Sequence, residues 1–90
     1  MEEERIGTVI RFFRKPMVAA IAIEEGSLTV GDALHIRGRI TDLYHRVDSI
    51  EIGRQTAPSA RAGDQAGIKV PEKVRAQDKV FFVKEREENG

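Results

Sequence analysis

Two short stretches decide the fold: residues 26–36 read GSLTVGDALHI, and residues 60–68 read ARAGDQAGI. In each stretch a Gly-Asp pair precedes a run in which every second side chain is apolar. Such alternation is typical of a strand with one buried face, and Gly-Asp is typical of a tight turn. We therefore predict that Gly31 and Gly63 have positive φ angles and that Asp32 and Asp64 accept hydrogen bonds from turn backbone groups.

The rest of the chain follows the same pattern, with short apolar runs separated by turn signals and almost no helical spacing. One helical turn is predicted at residues 71–74. An odd spacing between Val47 and Ile50 predicts a β-bulge at residues 48–49. Further strands, all rich in β-branched and aromatic residues, are predicted at residues 5–13, 17–23, 43–52 and 79–84.

Six short strands without helices favour closure, because a closed barrel leaves no sheet edge exposed. We predict an all-β fold, a closed six-stranded Greek-key-type barrel, formed by residues 1–90 as a single domain with short charged termini. The alternation also predicts the core side chains: Ile6, Val9, Ile21, Leu34, Ile36, Val47, Ile50, Ile68, Val70 and Val80.

Composition excludes several kinds of site. The 90 residues contain no cysteine, which rules out disulfides and thiolate metal ligands. No apolar run approaches the roughly 18 residues of a membrane-spanning helix. The N-terminus lacks the basic and then apolar order of a signal peptide, so we expect a cytoplasmic protein with no membrane partner.

The formal net charge is zero, but the charges are unevenly distributed. Glutamates crowd both termini, and the body between them is basic, which favours an anionic partner. Lys69, Lys73, Arg75 and Lys79 form one basic group late in the chain, and alternation requires either Phe12 or Phe13 to point into the core. The basic residues that we predict to bind nucleic acid are Arg11, Arg14, Lys15, Arg37, Arg39 and Arg46.

An ordered series of motifs covers nearly the whole chain: IGTV at residues 6–9, the two Gly-Asp stretches, and VDSIE at residues 47–51. This series resembles the β-barrel second domain of translation GTPases such as elongation factor Tu, and small stand-alone translation elongation factor-like proteins of prokaryotes. A similar barrel is appended to collagenase-like peptidases. The resemblance implies the barrel fold and contact with the 3′ end of a tRNA, with Glu51 at a position that helps to form the adenosine pocket.

The sequence departs from that family at two places. No Gly-x-x-x-x-Gly-Lys-Ser/Thr loop is present, so no nucleotide partner is expected. The last turn reads Ala76-Gln77-Asp78, where the family has Gly-Asp. Gln77 must either tolerate the glycine conformation or change the turn.

No arrangement of side chains predicts catalysis, and we expect no enzyme activity and no cofactor. His35 and His45 would face each other across a hairpin, but two exposed histidines without further ligands do not make a metal site. The predicted function is a non-catalytic module that contacts RNA or a ribonucleoprotein. The alternative is a protein-interaction module that works beside a collagenase-like peptidase or an RNA-modifying enzyme.

Overall fold

A computed structural model describes residues 2–85, which form ten strands and no helix. No segment of this range could therefore cross a membrane as a helix. The strands are β1 (Glu2–Phe13), β2 (Val18–Ile23), β3 (Ser27–Thr29), β4 (Ala33–Arg37), β5 (Asp42–Arg46), β6 (Ile50–Ile52), β7 (Gln55–Ala57), β8 (Ser59–Arg61), β9 (Gln65–Lys69) and β10 (Lys79–Lys84).

Eight strands form one antiparallel sheet in the order β5-β4-β10-β1-β2-β9-β6-β7, and β3 pairs separately with β8. The all-β prediction is confirmed, but the closed six-stranded barrel is wrong, because the large sheet ends at β5 and β7. The predicted strand 43–52 splits into β5 and β6. Residues 47–49 separate these two strands, and Val47 donates its N–H to the Asp32 carbonyl and accepts the N–H of Gly31. Gly53 and Arg54 then both take positive φ and form the β6–β7 hairpin turn.

Strand β1 is the spine of the sheet, since it pairs with β10 along its first half and with β2 along its second. The register shifts at Ile6 and again at Ile10, so the bulges lie in β1 and not at the predicted residues 48–49. Gly7 lies between them with its Cα against the Ala22 carbonyl, where no Cβ would fit. The two bulges curl β1 around the core.

All ten predicted core side chains are buried. The prediction missed Leu28 and Val74, which are equally buried but lie in a three-residue strand and in an irregular segment. Residues 71–74 do not form the predicted helical turn. Phe12 packs against the core while Phe13 is exposed, as alternation requires.

Three turns share one geometry, and each ends in an aspartate. Gly31 and Gly63 both have φ of 99°, which confirms the prediction, and Gln77 has φ of 79°. The aspartates Asp32, Asp64 and Asp78 each accept a hydrogen bond from the backbone N–H three residues earlier, at 2.8–2.9 Å. Gln77 therefore adopts the conformation of the family's glycine and leaves the turn unchanged.

Candidate binding site at the basic end

The antiparallel register gathers most of the free cations at one end of the large sheet. At this end β1 and β9 finish, β10 begins, and the β4–β5 hairpin turns. We call it the basic end. Its basic residues are Arg11, Arg14, Lys15, Arg37, Arg39, Lys69, Lys73, Arg75 and Lys79, and its acidic residues include Asp42, Glu72, Asp78 and, on the row of Arg11, Glu51.

A cleft of about 320 Å³ lies at the basic end between two turns. One wall is the β4–β5 turn with Arg37 and Arg39, and the other is the turn before β10 with Arg75 and Lys79. Gly38 lies directly against the buried carboxylate of Asp78, which occupies the space that a Cβ at residue 38 would need. The two turns therefore meet through a glycine and an aspartate, and the cations surround that contact.

The cations of the cleft have no carboxylate partner among residues 2–85, where the ion pairs involve only Arg5, His35 and Arg46. Asp78, the acidic residue in the lining, accepts the Arg75 backbone N–H with its Oδ2. At the opposite end of the sheet two arginines are paired, Arg5 with Glu24 and Arg46 with Glu85. Within residues 2–85 no ion pair neutralises the cations of the cleft.

The structure separates two of the predicted nucleic-acid-binding residues from the rest. Arg46 lies at the far end of the β4–β5 hairpin, where it donates to the Gly31 carbonyl and to the Glu85 carboxylate. Glu51 lies in β6, on the same row across the sheet as Arg11. Three strand spacings, about 14 Å, separate them. Arg11, Arg14, Lys15, Arg37 and Arg39 lie at the basic end.

The predicted set omitted Arg75 and Lys79, although both line the cleft with Arg37 and Arg39. Their sequence distance from Arg39 hides this proximity, which arises because β10 pairs with β4. The sequence signal that bears on Lys79 is the Gln77-Asp78 turn. This turn matches the two Gly-Asp turns and so predicts a strand that starts at Lys79.

Aromatic rings near the cations already have a covered face. The guanidinium of Arg11 lies 5.0 Å from the centre of the Phe13 ring, and that of Arg37 lies 5.0 Å from the centre of the Phe81 ring. Tyr44 stacks on His35 with ring centres 3.9 Å apart. These contacts hold the rings and the two guanidiniums in place.

His35 corrects the expectation of two exposed histidines facing each other. The register pairs His35 with Tyr44 and Leu34 with His45, one residue away from the predicted alignment. The His35 side chain is only 5% exposed. Its Nδ1 lies 2.7 Å from a Glu3 carboxylate oxygen and its Nε2 lies 2.5 Å from an Asp42 carboxylate oxygen.

Charges around His35 alter the protonation of the cluster. Burial lowers the pKa of His35, but the bonds to Glu3 and Asp42 outweigh it and hold the pKa above its usual value. The bond to His35, helped by the Tyr44 hydroxyl, lowers the pKa of Glu3. When His35 is protonated, each ring nitrogen can donate to one of the two neighbouring carboxylates. Both ring nitrogens are occupied, so His35 has no free nitrogen with which to act as a general base.

No protein-family model matches the chain. Over 84 residues it is 37% identical to a collagenase of Porphyromonas gingivalis, covering 92% of this chain and 23% of the collagenase. Over 81 residues it is 33% identical to an uncharacterised protease of Methanocaldococcus jannaschii, covering 89% of this chain and 20% of that protein. The chain thus spans less than a quarter of these relatives.

Solved structures share the fold. The C-terminal domain of a Geobacillus thermoleovorans putative U32 peptidase matches with a TM-score of 0.82 at 15% identity, over 90% of this chain and 93% of that domain. The elongation factor SelB of Methanococcus maripaludis matches with a TM-score of 0.63 at 22% identity, over 92% of this chain and 19% of that protein. The translation-factor resemblance is therefore confirmed for the fold alone.

Proposed function

We propose that the chain is a non-catalytic binding domain of the kind that accompanies collagenase-like peptidases. One observation carries this proposal: the 37% identity to the Porphyromonas collagenase extends over 92% of this chain but over only 23% of the collagenase. A segment that is similar over a whole domain and covers so little of a peptidase is expected to be an accessory part of it. The fold likeness to a U32 peptidase C-terminal domain supports the same assignment.

The chemistry of the described residues supports a binding role. The carboxylates around His35 are bonded to its ring, and Tyr44 covers that ring. No cluster of histidine and acidic residues in the range 2–85 has the spacing of a metal site. The cations gathered at the basic end suit recognition of an anionic surface.

The test is a graft. In the Porphyromonas collagenase, the segment similar to this chain is either deleted or replaced by the full 90-residue chain, and gelatin hydrolysis is measured. We expect the deletion to lose activity, the graft to restore most of it, and the isolated chain to hydrolyse nothing. A graft no better than the deletion would contradict the proposal. Hydrolysis by the isolated chain, abolished by one substitution, would replace it with an enzymatic function.

Contact with RNA or a ribonucleoprotein is a second candidate function. The observation in its favour is the segregation of unpaired cations at the basic end. Phosphate groups would be attracted to this end, because the carboxylates of the opposite end are remote from it. The discriminating measurement is pull-down of the tagged chain from native lysate with and without ribonuclease. Partners retained after ribonuclease treatment support the peptidase-associated function, and partners lost with it support RNA contact.

A further inference from the structure

We propose that the cleft at the basic end binds an acidic peptide segment of the protein partner, with Arg39, Arg75 and Lys79 contacting its carboxylates. The inference rests on the proposed function only in taking the partner to be a protein. It assigns the contact to one site and gives the chemistry of the ligand.

The charge of the cleft favours an anionic ligand. Arg37, Arg39, Arg75 and Lys79 line one cleft, and none of them is paired with a carboxylate within residues 2–85. Arginine stays charged at all physiological pH values and binds a carboxylate through two parallel hydrogen bonds. Two such groups on opposite walls fit a ligand with more than one carboxylate.

The shape of the cleft favours a short segment of chain. The cleft volume of about 320 Å³ is at the lower limit of ligand pockets, which range over about 300–1,000 Å³. A short stretch of chain fits this volume, whereas a folded surface does not enter it. The contact of Gly38 with Asp78 fixes the distance between the two walls. The site is therefore formed before the ligand arrives, which lowers the entropic cost of binding.

The residues that line the cleft favour a peptide over a nucleic acid as its ligand. No aromatic residue lines the cleft. Nearby rings each have one face covered, Phe13 by Arg11 and Phe81 by Arg37. Proteins that hold single-stranded nucleic acid combine charge with stacking of bases on open aromatic faces. The cleft offers charge and a defined shape without a stacking platform, which favours carboxylates on a peptide.

The experiment compares two probes and two variants. A labelled peptide of alternating glutamate and alanine and a single-stranded RNA of equal net charge are titrated by fluorescence anisotropy. We expect the peptide to bind more tightly than the RNA, and R39Q/R75Q to weaken peptide binding by roughly tenfold or more. The matched control R11Q/R14Q removes the same charge from the same end, and it should weaken binding by about twofold at most.

Folding of each variant is checked by its thermal midpoint. R39Q/R75Q should leave the thermal midpoint unchanged, because Arg39 and Arg75 are exposed. Arg75 stabilises its turn through its backbone N–H, which the substitution keeps. Charge reversal in Arg39→Glu should repel the peptide further. Equal losses in R39Q/R75Q and R11Q/R14Q would overturn the inference in favour of diffuse attraction. RNA binding tighter than peptide binding and lost in R39Q/R75Q would overturn it in favour of a nucleic-acid site.

The graft separates this inference from the proposed function. Full activity of a grafted collagenase that carries R39Q/R75Q would contradict peptide binding in the cleft. It would still be consistent with the proposed function. A wild-type graft that fails, beside an isolated chain that still binds the peptide through Arg39 and Arg75, would remove the proposed function alone. If R39Q/R75Q abolishes both peptide binding by the isolated chain and the activity of the grafted collagenase, the result supports the cleft as the peptide site and also the proposed function.

Discussion

The Nε2 atom of His35 lies 2.5 Å from an oxygen of Asp42, the first residue of the edge strand β5. The other ring nitrogen reaches Glu3 in β1, across the intervening strand β10. One imidazole therefore joins the edge of the sheet to its central strand. Tyr44 covers the ring and donates its hydroxyl to Glu3, so four side chains form one network on the outer face.

We expect the stability of the protein to depend on the protonation of this network. The pKa of His35 is raised above 6.5, so its contribution is complete below about pH 6.5 and is lost as pH rises through the folded value. The pKa of Glu3 is lowered below 4.5, so its contribution is complete above about pH 4.5 and is lost as pH falls through the folded value. The thermal midpoint of unfolding, measured from below pH 4.5 to above pH 6.5, should be highest between these two values.

The matched variants for this prediction are His35→Gln and His45→Gln. Glutamine at residue 35 keeps polarity but cannot become charged, so the fall in midpoint above neutral pH should disappear. The Nε2 of His45 has no hydrogen-bond partner in the described structure, and its replacement should leave the fall in place. An unchanged pH profile in His35→Gln would show that Glu3 and Asp42 do not control the titration of His35.

Much of the fold follows from local signals in the sequence. Alternation identified the ten core positions, and the Gly-Asp pairs identified two turns, because both signals depend on residues close in the chain. The closed barrel failed for the opposite reason. Whether the edges β5 and β7 meet is decided by long-range packing, and the breaks at Val47 and at Gly53-Arg54 produce short strands that leave no pattern of their own.

The candidate site was only partly predictable. Arg37 and Arg39 could be singled out as a charged hairpin, but their convergence with Arg75 and Lys79 depends on the pairing of β4 with β10. The buried role of His35 depends on a register that differs by one residue from the predicted one. A shift of one residue decides which side chains are opposite each other, and sequence patterns rarely fix it to that precision.

Gln77→Gly should stabilise the protein by about 0.5–1 kcal/mol. Gln77 has φ of 79°, a conformation that costs a residue with a Cβ about 1–2 kcal/mol, partly offset by the greater freedom of glycine in the unfolded chain. The reverse change in the equivalent turn, Gly63→Ala, should destabilise the protein by a similar amount. Nothing lies within 4 Å of the added Cβ, so the positive φ of residue 63 is the only cost. Urea unfolding of both variants measures the two effects, and a Gln77→Gly variant less stable than wild type would contradict the argument.

Gly7→Ala should destabilise the protein by about 1–3 kcal/mol. This loss should exceed that of Gly63→Ala. At Gly7 the cost is steric, since an added Cβ would collide with the backbone carbonyl of Ala22 in the neighbouring strand. Relief would require β1 and β2 to separate at Gly7, next to the bulge at Ile6. Urea unfolding measures the difference. If Gly7→Ala cost no more than Gly63→Ala, the close approach of the two strands would not constrain the fold.

RNA binding by the purified protein should be weak, tolerant of sequence and steeply dependent on salt. Cations that contact phosphates release counterions and carry no sequence information, and the rings of Phe13 and Phe81 each have a face covered by an arginine. We expect R11Q/R14Q and R39Q/R75Q to weaken RNA binding alike. Each lost phosphate contact should lower the slope of log K against log salt by about 0.7. Arg46→Gln should change RNA affinity little, because Arg46 is already paired with Glu85 at the opposite end.

Titration of labelled single-stranded RNA at several salt concentrations tests this prediction. Affinity that is indifferent to salt, or that is reduced by Arg46→Gln as much as by the pairs at the basic end, would show that RNA is bound elsewhere.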